Sequence, residues 1–184
     1  SSRRARVSDA DHDEGVRLVL TGHATPGQGT VVRDSRIAMY PIKAAGYSFY
    51  NLWGADALPS FPDDGLQSNF TEMAPAIGGL RLVKLLVEPD DAYDFSKQPD
   101  NAPEAAEGIH LSPTASSQVH YTPTLDMLVV LDGEVWLELD GGEEVHLKKG
   151  DFAIQNGTRH AWRNHGTTTA EVAVAVVGVS HAGF

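Results

Sequence analysis

The stretch that most constrains this chain runs from residue 125 to residue 155, where four short apolar runs follow one another with only tight links between them. Asp132-Gly133 joins Leu125–Leu131 to Glu134–Leu139, and Asp140-Gly141-Gly142 leads on into Glu143–Leu147. Asp-Gly and Gly-Gly accept the positive φ angles that hairpin turns need, so the three runs read as an antiparallel meander. Lys149-Gly150-Asp151 then turns into a fourth run, Phe152–Gln155. Side chains two apart in a strand share a face, and Val135, Leu137 and Leu139 fall opposite Trp136, Glu138 and Asp140. A sheet with one apolar face has to bury it against another layer or by closing on itself.

The same punctuation by Gly, Pro, Asp and Asn marks further candidate strands at Val16–Thr21, Thr30–Arg33, Arg36–Tyr40, Tyr47–Trp53, Leu80–Val87, Gln118–Thr122, His160–Arg163 and Glu171–Val179. No stretch of comparable length keeps a helical period, so the fold class is all-β, a sandwich or barrel. The alternating Ala and Val of Glu171–Val179 read as a strand buried on both faces, and Trp53 as core. At 184 residues one domain is expected, with residues 1–14 a flexible arm and 15–184 a single unit whose barrel core covers about 80–180. Residues 88–108 are acidic and hold three prolines, which reads as a solvated surface loop or, more sharply, a lid.

Charge and composition remove several function classes. A net charge of −11 repels phosphate backbones and anionic lipid, so neither nucleic acid nor a membrane surface is expected as a partner. With no cysteine there is no disulfide, no thiolate nucleophile and no zinc–thiolate centre. No apolar run approaches the roughly 20 residues that span a bilayer. Ser1–Glu14 has no apolar segment after its arginines, so no secretory signal is read there and a cytoplasmic location is expected. Gly-rich phosphate loops, a nucleophile elbow and HExxH are all missing from the sequence.

Two segments carry candidate chemistry: HYTPTLDMLVVLDGE at 120–134 and GDFAIQNGTRHAWRN at 150–164. Together they resemble the two signature motifs of the cupin superfamily. The first family motif runs His, any residue, His, three or four residues, Glu, six residues, Gly. Here His120 takes the first position, Thr122 stands where the second histidine would be, and Asp126, six residues and Gly133 complete it with Asp for Glu. The second motif begins Gly-Asp and ends His, three residues, Asn, matched by Gly150-Asp151, His160 and Asn164. It has one residue fewer before the histidine than usual and lacks the family's proline. The likeness covers roughly residues 117–178, and RLVLTGHATPGQGTVV with QNGTRHAWRN is also similar to a group of small microbial cupins. In that group the first motif commonly lacks its second histidine and carries Asp for Glu.

The resemblance implies a double-stranded β-helix, the cupin jelly-roll barrel, with extra N-terminal strands, frequently as a homodimer. Strand parity agrees, since Asp126 shares a face with Leu128 and Val130 and so points inward. A buried ionised carboxylate is costly unless it is paired or binds a metal. His120, Asp126 and His160 are therefore the candidate catalytic residues and the candidate ligands of one divalent transition metal (Fe, Zn, Mn or Ni) in a 2-His-1-carboxylate site. The alternative is a metal-free polar pocket, in which His120 and Asp126 pair or His160 is satisfied by Asn164 or a backbone carbonyl. Thr122, Trp162 and His110 are the candidate substrate-binding residues. His146 is expected to face solvent, His165 to sit in a turn and His23 to buttress one, while His12 and His181 lie near the ends.

Three functions remain open. One is a small-molecule enzyme of lyase, isomerase or cyclase type acting on an oxygenated organic substrate. The second is an iron-dependent dioxygenase, and the third a non-catalytic ligand-binding cupin, because this fold hosts all three.

Overall fold

The structure, a computed structural model, describes residues 15–39, 46–65, 74–92, 110–111 and 119–182. The expected arm at 1–14 and the acidic stretch from 93 onward lie outside the described residues. Twelve strands are described: β1 (Val16–Thr25), β2 (Gln28–Ile37), β3 (Tyr47–Ala55), β4 (Leu80–Val87), β5 (His110–Leu111), β6 (His120–Tyr121), β7 (Thr124–Asp132), β8 (Glu134–Leu139), β9 (Glu144–Lys148), β10 (Phe152–Gln155), β11 (His160–Arg163) and β12 (Ala170–Gly178). One short 3-10 turn, Asp90–Ala92, follows β4. Among the described residues no helix is long and apolar enough to cross a membrane.

Ten strands form two five-stranded antiparallel sheets, ordered β10-β7-β12-β4-β3 and β5-β6-β11-β8-β9. This is the all-β jelly-roll barrel expected from the sequence. The expected three-stranded meander forms only at its second link, where β8 pairs with β9. β7 belongs to the other sheet, between β10 and β12, so Asp132-Gly133 carries the chain from one sheet to the other. β7 and β8 turn at Gly133, whose φ is 70° and whose missing side chain leaves room for Ala170, 3.0 Å from where a Cβ would stand. Between the sheets lie Val87, Leu128, Val130, Val135, Leu147 and Val172, all at most 8% exposed. Each such aliphatic side chain contributes about 1.5–3 kcal/mol of burial energy, so this layer fixes which face of each strand points inward. The polar wall residues follow from that choice.

Three further sequence expectations are corrected. Thr30–Arg33 and Arg36–Tyr40 are not two strands, because β2 runs unbroken from Gln28 to Ile37 and pairs along its length with β1, which itself continues to Thr25. The polar run Arg33-Asp34-Ser35 reads as a break only if a buried face is assumed. On this exposed ribbon it is harmless, and Arg17 pairs with Asp34 across it at 2.8 Å. The β1–β2 hairpin forms a sheet of its own, so of the N-terminal strands only β3 extends a barrel sheet. Secondly, β12 is buried on its inner face, at Val172, whereas Ala173, Ala175 and Val177 on the outer face are only half-buried. Thirdly, Trp53 is half-buried and sits at the irregularity where the β3–β4 register shifts.

Candidate functional site

The cavity wall is a product of strand parity. Residues 120, 122, 124 and 126 all turn to the inside as the chain passes from β6 into β7, and His160 and Trp162 do the same on β11. β11 runs antiparallel to β6 with His160 directly opposite His120, which brings the two rings to a centroid distance of 4.6 Å. Tyr47 and Phe49 of β3, Val83 and Leu85 of β4, Val174 and Val176 of β12, and Ala74 close an apolar cavity of about 120 Å³ around them.

His160 is 2% exposed, and its Nδ1–H donates to the Thr158 carbonyl at 2.9 Å. Its tautomer therefore leaves a lone pair on Nε2. Burial, aided by the neighbouring His120, pushes its pKa down to about 3, so the ring is neutral at ordinary pH. The edge of Trp162 meets it at 5.7 Å and 77°. Trp162 is held in turn by Tyr47, whose hydroxyl donates to the Trp162 carbonyl at 2.6 Å and accepts its N–H at 3.1 Å. Burial raises the Tyr47 hydroxyl well above its usual range, which keeps it protonated in this role.

On the facing wall, Thr122 and Thr124 touch through their hydroxyls at 2.6 Å. Thr124 is 1% exposed and hydrogen-bonds the Asp126 carboxyl. Burial raises the Asp126 pKa, and the Thr124 bond offsets part of that rise. Asp126 Oδ1 is buried with no hydrogen-bond partner among the described residues. An unmade hydrogen bond of this kind costs about 1–3 kcal/mol. Protein interiors keep such atoms only rarely, which marks Oδ1 as an atom awaiting a partner.

The structure thus brings together His120, Asp126, His160, Thr122 and Trp162, five of the six residues singled out from the sequence. The sixth, His110, is placed by its backbone, which pairs with Tyr121. Its side chain lies outside what is described. Asn164 does not satisfy His160. β11 ends at Arg163, and the Asn164 amide is spent on the Val87 and Thr168 carbonyls at 2.8 and 2.9 Å. A backbone carbonyl satisfies His160 instead, one of the alternatives open in the sequence. His146, His165 and His23 take the places expected, and His23 Nδ1 lies 3.1 Å from the Asp63 carbonyl oxygen. Sequence reasoning missed Thr124, Tyr47 and Phe49. Thr124 was findable, since it lies two residues before Asp126 on the same face.

The donor set, two imidazoles and a carboxylate, has the chemistry of a transition-metal site. Among the described residues, however, no three His, Cys, Asp or Glu side chains stand as a group that could hold an ion. The side chains as placed therefore do not fit a three-ligand centre, and the chemistry below is derived without one.

A two-sheet jelly roll with a lined internal cavity defines the class of protein. The chain carries a cupin domain: residues 109–177 match the cupin domain family model. It is 57% identical over 44 residues to phomopsin biosynthesis cluster protein C' of Diaporthe leptostromiformis, covering 24% of this chain and 23% of that protein. Oryzines biosynthesis cluster protein J of Aspergillus oryzae is 50% identical over 44 residues, covering 24% and 25%. The match thus spans about a quarter of the length of these relatives. Similar solved structures include an ectoine synthase from P. lautus, at 12% identity and a TM-score of 0.40, covering 76% of this chain and 69% of that one. A sugar phosphate isomerase of the cupin superfamily from Silicibacter pomeroyi matches at 18% identity and a TM-score of 0.41, covering 77% and 71%.

Proposed function

We propose that the cavity is the active site of a small-molecule enzyme of lyase, isomerase or cyclase type, working by proton transfer. One observation carries this reading: a carboxyl with a raised pKa and an unpartnered oxygen shares a small apolar cavity with a neutral imidazole. Separated environments of this kind assign acid and base roles. Nε2 of His160 holds the lone pair that accepts a proton from carbon, and the Asp126 carboxyl delivers one to the oxygen that becomes an enol or a leaving group. Thr124 orients Asp126 through its hydroxyl, and Tyr47 fixes the Trp162 wall through the backbone. Thr122 and Trp162 bound the substrate. The named relatives belong to biosynthesis clusters, which fits work on a small organic molecule.

The test begins with a ligand, sought by incubating the purified protein in extracts of its source and identifying what co-purifies. His160→Gln keeps bulk and some hydrogen bonding but loses the basic nitrogen, and turnover of that ligand should fall by about 100-fold or more. A ligand that emerges chemically unchanged from long incubation with wild-type protein would leave only the binding-module reading. Elemental analysis belongs to the same test. About one divalent transition metal per chain, lost in Asp126→Ala together with turnover, would replace the proton-transfer reading by a metal-dependent one.

A further inference from the structure

We infer that Gln155 is a positioning residue of this site: through Thr158 it holds His160 with the proton on Nδ1 and the lone pair on Nε2. The inference deepens the proposed function, from which it takes the role of His160 as the base.

His160 can accept a proton at Nε2 only while its own proton stays on Nδ1, and in a neutral imidazole the partner at one nitrogen decides the state of the other. That partner is the Thr158 carbonyl, 2.9 Å from Nδ1. Thr158 lies in the turn between β10 and β11 and is exposed, so burial does not hold its carbonyl in place. Hydrogen bonds do. The Thr158 N–H donates to Gln155 Oε1 at 3.2 Å, and the Thr158 hydroxyl donates to the same oxygen through a short bond. Those are all the donors a threonine has, and both are spent on Gln155. An N–H can only donate, which settles that the oxygen of the amide, not its nitrogen, faces Thr158.

Gln155 is itself firmly seated. It closes β10, is 3% exposed and pairs across the sheet with Asp126. Paired residues of adjacent strands share a face, so Gln155 stands beside the acid on the inner side. It lines no part of the cavity and therefore acts through Thr158, not on a substrate. β10 and β7 belong to one sheet and β11 to the other, so the Gln155–Thr158 pair spans the step between them. The base on one wall is thus tied to the strand that flanks the acid on the other.

A second support acts one residue earlier. Gly157, at φ 64°, leaves no room for a side chain, since a Cβ there would stand 3.0 Å from the His181 ring and 3.3 Å from the Thr122 carbonyl oxygen. His181 Nε2 lies 3.2 Å from the Gly157 carbonyl oxygen. This contact steadies the middle of the turn, whereas the carbonyl that His160 reads belongs to Thr158.

The test reads the ring itself and needs no substrate. Long-range proton–nitrogen NMR spectra of isotopically labelled protein near neutral pH separate protonated from lone-pair imidazole nitrogens, and the His160 signals are those missing from His160→Gln. In the wild type Nδ1 should carry the proton. Gln155→Leu keeps the bulk and removes the acceptor, and it should move the tautomer ratio at least about 10-fold toward Nε2–H. Gln155→Glu returns an acceptor oxygen and should restore the wild-type pattern. His120 and Trp162, which stand against the ring at 4.6 and 5.7 Å, are unaltered in each variant.

Folding is checked by thermal unfolding. Should Gln155→Leu not fold, Thr158→Val decides, because that residue is exposed and only the hydroxyl bond is lost. Its shift should be about 3-fold, and Thr158→Ser should reverse it. A wild-type ring protonated at Nε2, a ratio unchanged in the deciding variant, or a ratio left shifted in folded Gln155→Glu overturns the inference. On a ligand that is turned over, Gln155→Leu should lower kcat about 10-fold and leave KM within about 2-fold. The two proposals fail separately. A tautomer that depends on Gln155 in a protein whose turnover survives His160→Gln sinks only the catalytic reading. Turnover lost with His160 beside a tautomer indifferent to Gln155 sinks only the positioning role.

Discussion

Two pairs of histidines lie on opposite sides of one wall of the barrel, and their surroundings differ in kind. Inside, His120 and His160 face each other across β6 and β11, and the one polar bond His160 makes is to a backbone carbonyl. Outside, His146 stacks flat on Trp136 at 4.0 Å and 3° and bonds Glu134 at 2.8 Å. His165 leans on the same indole at 4.8 Å and bridges Asp90 at 2.9 Å and Glu144 at 3.3 Å. Each outer imidazole has a carboxylate and open water, so its hydrogen bonds are complete. The inner pair shares its cavity with a carboxyl that is not engaged to it and has an oxygen to spare. Chemistry is available where satisfaction is incomplete. Residue type and local sequence do not separate the pairs, but the face of the sheet does.

Exchanging one acidic partner on each face should produce the largest contrast. Asp126→Asn keeps the size of the side chain and removes its ability to give or take a proton, so turnover should fall by about 100-fold or more. Glu134→Gln, the matched change outside, should leave turnover untouched. A kinetic assay on the co-purified ligand decides it, and equal losses would erase the distinction between the faces.

The pH dependence of stability is the second way to break the comparison. His160 has a folded pKa of about 3 against an ordinary 6.5, so between those values the unfolded chain binds a proton that the folded chain does not. Stability is therefore lost as pH falls from about 6.5 toward about 3. Asp126 has the opposite sign. Its raised pKa means that the folded chain holds a proton the unfolded chain has released, so stability falls as pH rises from 3.8 through the raised value. Denaturant titrations across pH should show His160→Gln flattening the acid limb and Asp126→Asn flattening the opposite one. An acid limb unchanged in His160→Gln would mean the inner ring is not kept neutral by burial.

Thr124→Val asks whether the inner site is tuned or merely buried. The Thr124 bond lowers the Asp126 pKa against the larger effect of burial, so losing it should move the Asp126 limb of the pH–rate profile upward. The expected cost in stability is about 0.5–1.5 kcal/mol for one hydrogen bond. A profile that stays in place would show that Thr124 does not orient the carboxyl.

These contrasts also show what a sequence can disclose. The β8–β9 hairpin and the inward placing of His120, Thr122, Asp126, His160 and Trp162 were legible, because period-two alternation and Gly-rich turns are local signals. The Asp132-Gly133 link was misread as a hairpin, because nothing local says that a turn passes between sheets. The β1–β2 hairpin was misread because its alternation is broken at Arg33–Ser35, and nothing local says that a ribbon lies outside a core. Tyr47 and Phe49 sit more than 70 positions from His120 in the chain, and they reach the cavity only because β3 joins the sheet beside β4. The pairing of His165 with Asp90 is likewise set by the crossing of distant loops. Alternation gives the face of a strand, whereas the neighbour across that face is a property of topology.

The smallest expected effect belongs to His146, and its smallness is what makes it useful. His146→Ala removes an ion-pair contact to Glu134 between side chains 34% and 42% exposed, together with a flat stack on Trp136. Pairs this exposed contribute about 0–1 kcal/mol, and a partly solvated aromatic contact adds a similar amount at most. The hydrogen bonds lost are replaced by water at once, because both ends already touch solvent. The unfolding midpoint should thus move slightly, by roughly 1 kcal/mol or less, and turnover should not move at all. The stability loss should shrink further in high salt, since the screening length falls from about 10 Å at 0.1 M to about 3 Å at 1 M. If His146→Ala instead lowered turnover as His160→Gln is expected to, the outer cluster would have to be coupled to the cavity through β8 and β11. The division of labour between the two faces would then be wrong.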